Sequence, residues 1–586
     1  MVLAMAATLA ACTAPPPAEP DTSVTVAVSQ PLTSLNPVTS YGSTTVNEQV
    51  AYATGTNFSY FSSDFERVDD SSFGSVELVS SEPTVAKYTV NDGVTWSDGT
   101  PVDAADLLLS WAAGSGALNT AGFDAAAWVD PATGRYRDDI PADVVWFDNQ
   151  TERGLRQVTA LPEIGDDGRS LTLTWDTDFV EWQTALQLGV PAHVLGERLG
   201  AADADAAKDA VIDAIETRDP VALPALSRDF TSAFDLDAGT PDAALLVSSG
   251  PYTVTAVDPG LSVTLTANER YTGSRHPQFE EIIVRTIDGP AATVAALGDG
   301  SVDIVSPPAT ADSAQALVTL RGMTVVSGFS GSFAHLDLQF SGSKSGTFDD
   351  PAVRQAFLAT VPRQQIVDAI VGPVQEDAAV RSSFLFFPGT DEYTDAIDSN
   401  GSDRFTYGDP AAAQAILQEA GVSAGEACIL YDPTDPQRVE QYSLIAASAT
   451  QAGFTVTDCS RDDWQSVLGV DGAYDASLVE WAAPIEPVGV TAARLQSGSG
   501  QSNTTHYSNA TVDSLLASLA AEEDPVDRAE ILLDIDTALF ADGFGVPLYQ
   551  VPSLTAFNAS VQGIEPSPLA PGVFWNIWEW APSATN

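Results

Sequence analysis

Lysine is nearly missing from this chain. It occurs only at Lys87, Lys208 and Lys344, and Lys plus Arg total 24 against 80 Asp plus Glu. The formal net charge of −56 repels nucleic-acid phosphates, so DNA and RNA are excluded as partners. Such a surface favours solubility in a salty or metal-rich medium; a preference for cationic ligands is the sharper reading of the same charge. Histidine is scarce as well: His193, His276, His335 and His506 stand far apart, none with a partner at metal-site spacing. No metal or cofactor is therefore expected. There is no Gly-x-Ser-x-Gly elbow and no phosphate loop, so catalysis has no visible seat. No apolar run is long enough to span a membrane. Cysteine occurs at Cys12, Cys428 and Cys459 alone.

A chain of 586 residues is too long for one core and divides into two or three lobes. Its best-punctuated stretch runs from Tyr88 to Trp111. Tyr88 and Val90 alternate as a strand, and Asn91-Asp92-Gly93 supplies a tight reversal. After Val94 and Trp96, a second turn falls at Ser97-Asp98-Gly99. Asp103 stands where a helix cap belongs, with Asp106 three residues on and Leu107, Leu108 and Trp111 as the apolar face. That is a capping box with Asp where Glu is commoner.

The string Gly-Val-x-Trp-Ser-Asp-Gly-Thr-Pro-Val-x-Ala-x-Asp resembles the signature of the family-5 extracellular solute-binding proteins, the peptide, dipeptide and nickel receptors of ABC importers. Asp103 departs from the family's usual Thr; both cap well. Further blocks follow in the family's order. Leu35-Asn36-Pro37 resembles its Leu-(Asp/Asn)-Pro. Ser248-Ser-Gly250-Pro251-Tyr252-Thr-Val254 and Asn268-Glu-Arg-Tyr271-Thr-Gly273 form a second block. Asp349-Asp350-Pro351-Ala-Val353-Arg354-Gln355-Ala356 with Arg363 forms a third, Pro362 replacing an Asp. Val190-Pro-Ala-His193 resembles another family segment, and His193 reads as structural.

The resemblance implies an α/β fold of the periplasmic-binding-protein type II. Two hinged lobes with discontinuous connectivity carry an extra lobe. The expected layout is residues 23–57 and 185–285 in lobe I, 58–184 in the extra lobe II, 286–545 in lobe III, and a return segment, 546–586, to lobe I. Phe279–Arg285 is expected to cross between lobes, and Gly545–Tyr549 to cross back. The chain is expected to be a monomer that captures a small solute, most readily a peptide, and delivers it to importer permease subunits. A nickel chelate, an oligosaccharide or a cationic amine is the alternative solute; a surface lipoprotein enzyme is the reading from another class.

Two segments carry the implied site. The loop Tyr41–Thr45 would face the cleft, with Ser43, Thr44 and Thr45 hydrogen-bonding an extended ligand; the same residues also read as a helix N-cap cluster. Tyr474-Asp475 through Trp481 resembles the family's Tyr-Asp-x-x-x-x-Gly-Trp, after which come small residues and then an Asp that, in the peptide-binding members, holds the ligand's ammonium. Here Trp481 and Ala482 match, Glu480 replaces the Gly, and Pro484 takes the Asp position. Glu486 could substitute if the loop shifts.

Leu9-Ala10-Ala11-Cys12 resembles a bacterial lipobox, with residues 1–12 as signal remnant, Cys12 as lipidation site and 13–22 as a Pro-rich tether. Lipidation would place the chain on the outer face of the cytoplasmic membrane. No Lys or Arg precedes Cys12, so the true start is expected upstream of Met1. Cys428 and Cys459 are then expected to pair in an oxidising compartment, although each sits at the end of a strand and the span between them is open.

Overall fold

The computed structural model describes residues 19–583 except 152, 237–240, 376, 483–486 and 500–501. One ten-stranded sheet runs through both lobes. Its order is Thr455–Asp458, Glu426–Leu430, Ala476–Ala482, Met323–Leu338, Gly545–Asn558, Ile304–Val305, Glu19–Val28, Phe279–Thr286, Ser262–Ala267 and Tyr252–Asp258. The first strand buries Val24, Val26 and Val28 and pairs in parallel with Phe279–Thr286, Val24 opposite Ile282 and Val26 opposite Val284. β-Branched residues at these positions suit a pleated, covered surface.

Two long neighbouring strands join the lobes. Met323–Leu338 pairs through Met323–Phe329 with the far end of Gly545–Asn558, and through Phe333–Asp337 with its near end. The register shifts between Phe329 and Phe333. Beyond that shift the first crossing strand gains a second partner, Ala476–Ala482. The far end of the return strand instead meets Ile304–Val305, which in turn meets Val26.

This corrects two expectations. Phe279–Thr286 does not cross; it lies between Glu19–Val28 and Ser262–Ala267 inside one lobe. Residues just after 286 also stay there: Val294, Leu297, Val302 and Leu317 pack on Ala27 and Leu554. The change of lobe falls near the register shift, not at 286. The strand that crosses, Met323–Leu338, is 16 residues long and carries Ser327-Gly-Phe-Ser-Gly-Ser332 within it. At about 3.3 Å per residue a strand of that length is long enough to serve both lobes.

The extra lobe carries a four-stranded antiparallel sheet of Gly74–Ser81, Thr84–Val90, Ser170–Thr174 and Glu163–Ile164. The helix Ala104–Ser115 packs over it with Leu107, Leu108 and Trp111 buried. Both halves of the capping box form: Ala105 N–H donates to Asp103 Oδ1 (3.0 Å) and Asp103 N–H to Asp106 Oδ2 (3.0 Å). Asp106 also accepts from Ala192 N–H (2.8 Å) and from the Trp96 indole (3.4 Å). Lys208 reaches in from the helix Ala204–Glu216, 2.8 Å from Asp103 and 3.6 Å from Asp106. In the second block, Gly250 lies flat on the Gly55 backbone, where a Cβ would collide with Gly55 O.

Cys428 and Cys459 are bonded, their Cα atoms 5.6 Å apart. Their strands are parallel neighbours with Ile429 opposite Asp458, and Cys459 N–H donates to Ile429 O (3.0 Å). Cys428 does not open its strand but is its third residue, opposite Thr457, which brings it within reach of Cys459 just past the end of the neighbouring strand. The bridge closes a loop with a sequence separation of 31, so replacing both cysteines by Ser is expected to destabilise this lobe by roughly 3–4 kcal/mol. Urea unfolding followed by near-UV circular dichroism checks it; an unchanged midpoint would contradict the estimate.

Candidate functional site

The loop before the helix Thr45–Thr54 is tied to the extra lobe. Ser40 donates to Asp148 Oδ2 from both its N–H (2.7 Å) and its hydroxyl (2.5 Å). Gln150 N–H donates to Val38 O (2.8 Å), and the Arg135 guanidinium sits 4.7 Å from the Tyr41 ring centroid. Thr44 is the helix cap, accepting from Asn47 N–H (3.3 Å). Ser43 and Thr45 are exposed, and no hydrogen bond among the described residues engages their side chains.

Trp481 stands on the opposite lobe. Alternation along Ala476–Ala482 puts it on one face with its neighbours Phe333 and His335, and Glu480 on the other. The Trp481 ring lies 4.6 Å from His335, 5.8 Å from Phe544 and 5.9 Å from Phe384. The Arg494 guanidinium covers it at 4.8 Å and donates to Ala482 O (3.2 Å). Trp481 is half-buried and Ala482 exposed, so this is an aromatic wall with one free side. Glu480 is taken by Arg438 at 2.7 Å and is turned away from the wall.

Beneath Trp481 lies a buried pair that the sequence reading missed. His335 Nδ1 is 2.8 Å from Asp337 Oδ1, both residues are inaccessible, and His335 Nε2 has no partner among the described residues. The only available signal was spacing: positions i and i+2 of a strand share a face. His193, by contrast, sits 2.8 Å from Asp98 Oδ2, against Trp96, and pins the signature turn. Among the described residues no group of three metal-ligating side chains occurs.

A cavity of about 370 Å³ opens beneath the helix Thr45–Thr54, with Leu35, Ala51, Trp96, Leu155 and Phe230 among its walls. Its lining comes from the first and extra lobes only. Glu48 and Arg153 stand on its rim; desolvation raises the Glu48 carboxyl above its ordinary value, and Arg153 pulls it down.

The lobes touch. Val180 N–H donates to Ala520 O (3.0 Å), Phe65 meets Phe387 at 4.7 Å, and Glu181 reaches Val488 and Gly489. Ser43, Thr44 and Thr45 thus stand on one lobe and Trp481 and Ala482 on the other, with no hydrogen bond or ring contact among the described residues joining the two groups. Cys12, Pro484 and Glu486 lie outside the described residues.

The family model for bacterial extracellular solute-binding proteins, family 5 (middle), matches residues 75–503. The chain belongs to this family. Family-5 proteins are receptors of ABC importers, not enzymes. An uncharacterized lipoprotein of Mycobacterium tuberculosis is 27% identical over 602 aligned positions, covering 99% of this chain and 96% of that protein. The oligopeptide-binding protein OppA of the same organism is 23% identical over 517 positions, covering 86% and 75%. Among solved structures, the periplasmic EDTA-binding protein EppA superposes with a TM-score of 0.78 at 20% identity, covering 98% of each chain. NikZ of Campylobacter jejuni, in complex with Ni(L-His), gives 0.69 at 18%, covering 96% and 100%. AppA of Bacillus subtilis, in complex with a nonapeptide, gives 0.67 at 15%, covering 96% and 99%. These likenesses establish the two-lobed type II fold.

Proposed function

We propose that this family-5 receptor captures short peptides between its lobes and presents them to importer permease subunits, held at the membrane by a lipid on Cys12. The observation that supports this best is the half-open aromatic wall at Trp481 on one lobe, together with a loop on the other whose Ser43 and Thr45 side chains are exposed and unengaged among the described residues. A peptide backbone needs such a pairing: a surface to lie on and small polar groups to meet its amides. Relatives named as lipoproteins and as an oligopeptide-binding protein agree with it.

A second reading, a metal chelate or other non-peptide solute, is favoured by Pro484 at the position where peptide receptors carry the ammonium-binding Asp. Glu480 is held by Arg438 on the other face, so a peptide's ammonium would need Glu486 or a carboxylate elsewhere in the cleft as its anchor. Native mass spectrometry of protein purified from rich medium, followed by release and sequencing of what is bound, decides between them. A ladder of short peptides supports the first reading, and a single non-peptide mass overturns it. Trp481→Ala is expected to weaken retention of the released solute at least tenfold, as loss of about 1.4 kcal/mol or more of stacking and burial implies. Titration calorimetry against the identified solute measures this.

A further inference from the structure

Glu181 belongs to the extra lobe, yet its carboxylate closes the first turn of a helix in the opposite lobe. Oε1 accepts from Val488 N–H at 2.7 Å and Oε2 from Gly489 N–H at 3.0 Å, across 307 and 308 residues of sequence. The helix is Pro487–Leu495, nine residues long. Its first-turn amides have no partner within the helix and carry the positive end of its dipole. A carboxylate that gives one oxygen to each amide is the strongest natural complement to that end. Beside it, Val180 N–H donates to Ala520 O (3.0 Å), so two consecutive residues of one lobe are hydrogen-bonded to the other.

The far end of the same helix holds the aromatic wall. Arg494 lies over Trp481 at 4.8 Å and donates to Ala482 O at 3.2 Å. One short helix therefore contacts the opposite lobe with its first turn and the proposed solute wall with its last. We infer that Glu181 is an interlobe latch and a positioning residue: it docks on Val488 and Gly489 when the lobes close, and through the helix Pro487–Leu495 it sets Trp481 in its closed place. The purpose of the latch rests on the solute-capture reading; its existence does not, and neither does its test.

The test uses the full chain with no solute added. Glu181→Gln keeps the size of the side chain but offers only one accepting oxygen, and Glu181→Ala offers none. Hydrogen exchange read by mass spectrometry over 487–495 is expected to quicken about tenfold in the Gln variant and further in the Ala variant. The return strand 545–558 should not change. Glu77→Gln, an exposed carboxylate on the same lobe, should leave both segments as they are. Unchanged exchange over 487–495 in Glu181→Ala overturns the latch. The coupling is read separately with 5-fluorotryptophan. The ¹⁹F resonance of Trp481, assigned by its loss in Trp481→Phe, should shift in Glu181→Gln; a resonance that stays in place overturns the link between latch and wall. Because no solute enters these measurements, a non-peptide solute would sink the peptide reading and leave the latch standing.

Discussion

Replacing Lys208 by Met is expected to cost the fold about 3–5 kcal/mol, the usual penalty for stripping one partner from a buried ion pair. Lys208 is 5% exposed and Asp106 is 0% exposed, and Lys208 also donates to Pro101 O. Its removal leaves two carboxylates, Asp103 and Asp106, facing each other at the start of one helix. Burial already raises Asp103 above its ordinary value, with the Asp106 charge adding to that and Lys208 opposing it. The sign of the pH effect follows. An acid whose folded pKa exceeds its unfolded value binds its proton more tightly when folded, so stability falls as pH rises through that window. Without Lys208 the window widens upward. The variant should therefore recover part of its deficit on acidification from pH 8 toward pH 5, where the parent gains less. Urea melts at the two pH values measure this; an equal deficit at both would mean that Lys208 acts by packing alone.

Gln550→Ala is expected to cost about 3–4 kcal/mol and to change how the lobes close. Gln550 is 3% exposed and lies on the return strand beside the register shift. Its Nε2 donates to Ser330 O (2.7 Å) and Ser332 O (2.9 Å), and its Oε1 accepts from Arg381. Those carbonyls belong to the segment between Phe329 and Phe333, where the ladder is interrupted, so a side chain replaces the missing backbone partner. Arg381, its guanidinium 4.0 Å from the Phe333 ring centroid, donates also to Ser383 O (2.8 Å) and Phe386 O (2.7 Å). Burial pushes its pKa down to about 10. Truncating Gln550 orphans two carbonyls and one guanidinium N–H, each costing about 1–3 kcal/mol where water is excluded and not fully additive. Thermal unfolding reads the stability loss. Small-angle scattering reads closure, with a larger radius of gyration expected in the solute-free variant. A variant as compact and as stable as the parent would show that the interrupted segment needs no bridge.

The signature helix was legible in the sequence because everything that makes it is local. Two Gly turns, an Asp cap and an Asp three residues on lie within one short stretch, and the structure forms both capping hydrogen bonds. Gly250 was legible as part of a motif, though its reason, the flat contact with Gly55, was not. The crossing strand was misplaced at Phe279–Arg285, because an alternating apolar run looks the same whether its neighbours belong to one lobe or to two, and only the strand pairing tells them apart. Lys208 could be placed on a helix but not opposite Asp103, which is 105 positions away. Glu181 gave no signal at all: a single acidic residue in so acidic a chain is unremarkable until the fold sets it on the amides of Val488 and Gly489. Trp481 was singled out by resemblance, whereas placing His335 and Asp337 beside it needed the register of the neighbouring strand, with their i, i+2 spacing as the one local hint.

The two crossing strands are adjacent in one sheet, and this limits the kind of movement the molecule can make. Neighbouring strands lie about 4.8 Å apart, so the lobes are tethered at two points set close together, like two pins of one door. Such a pair resists sliding and separation, because either would break the ladder between Met323–Leu338 and Gly545–Asn558. It yields to rotation about a line through the pins, where the ladder between these two strands is already interrupted. The relative motion is then close to one-dimensional, and a single angle describes how far the receptor is open. Small changes at the pins are magnified in proportion to distance from them, and the contact of Glu181 with Val488 and Gly489 spans the two lobes that turn. On the latch reading, the angle set at the pins and the contact made by Glu181 are one variable seen at two places.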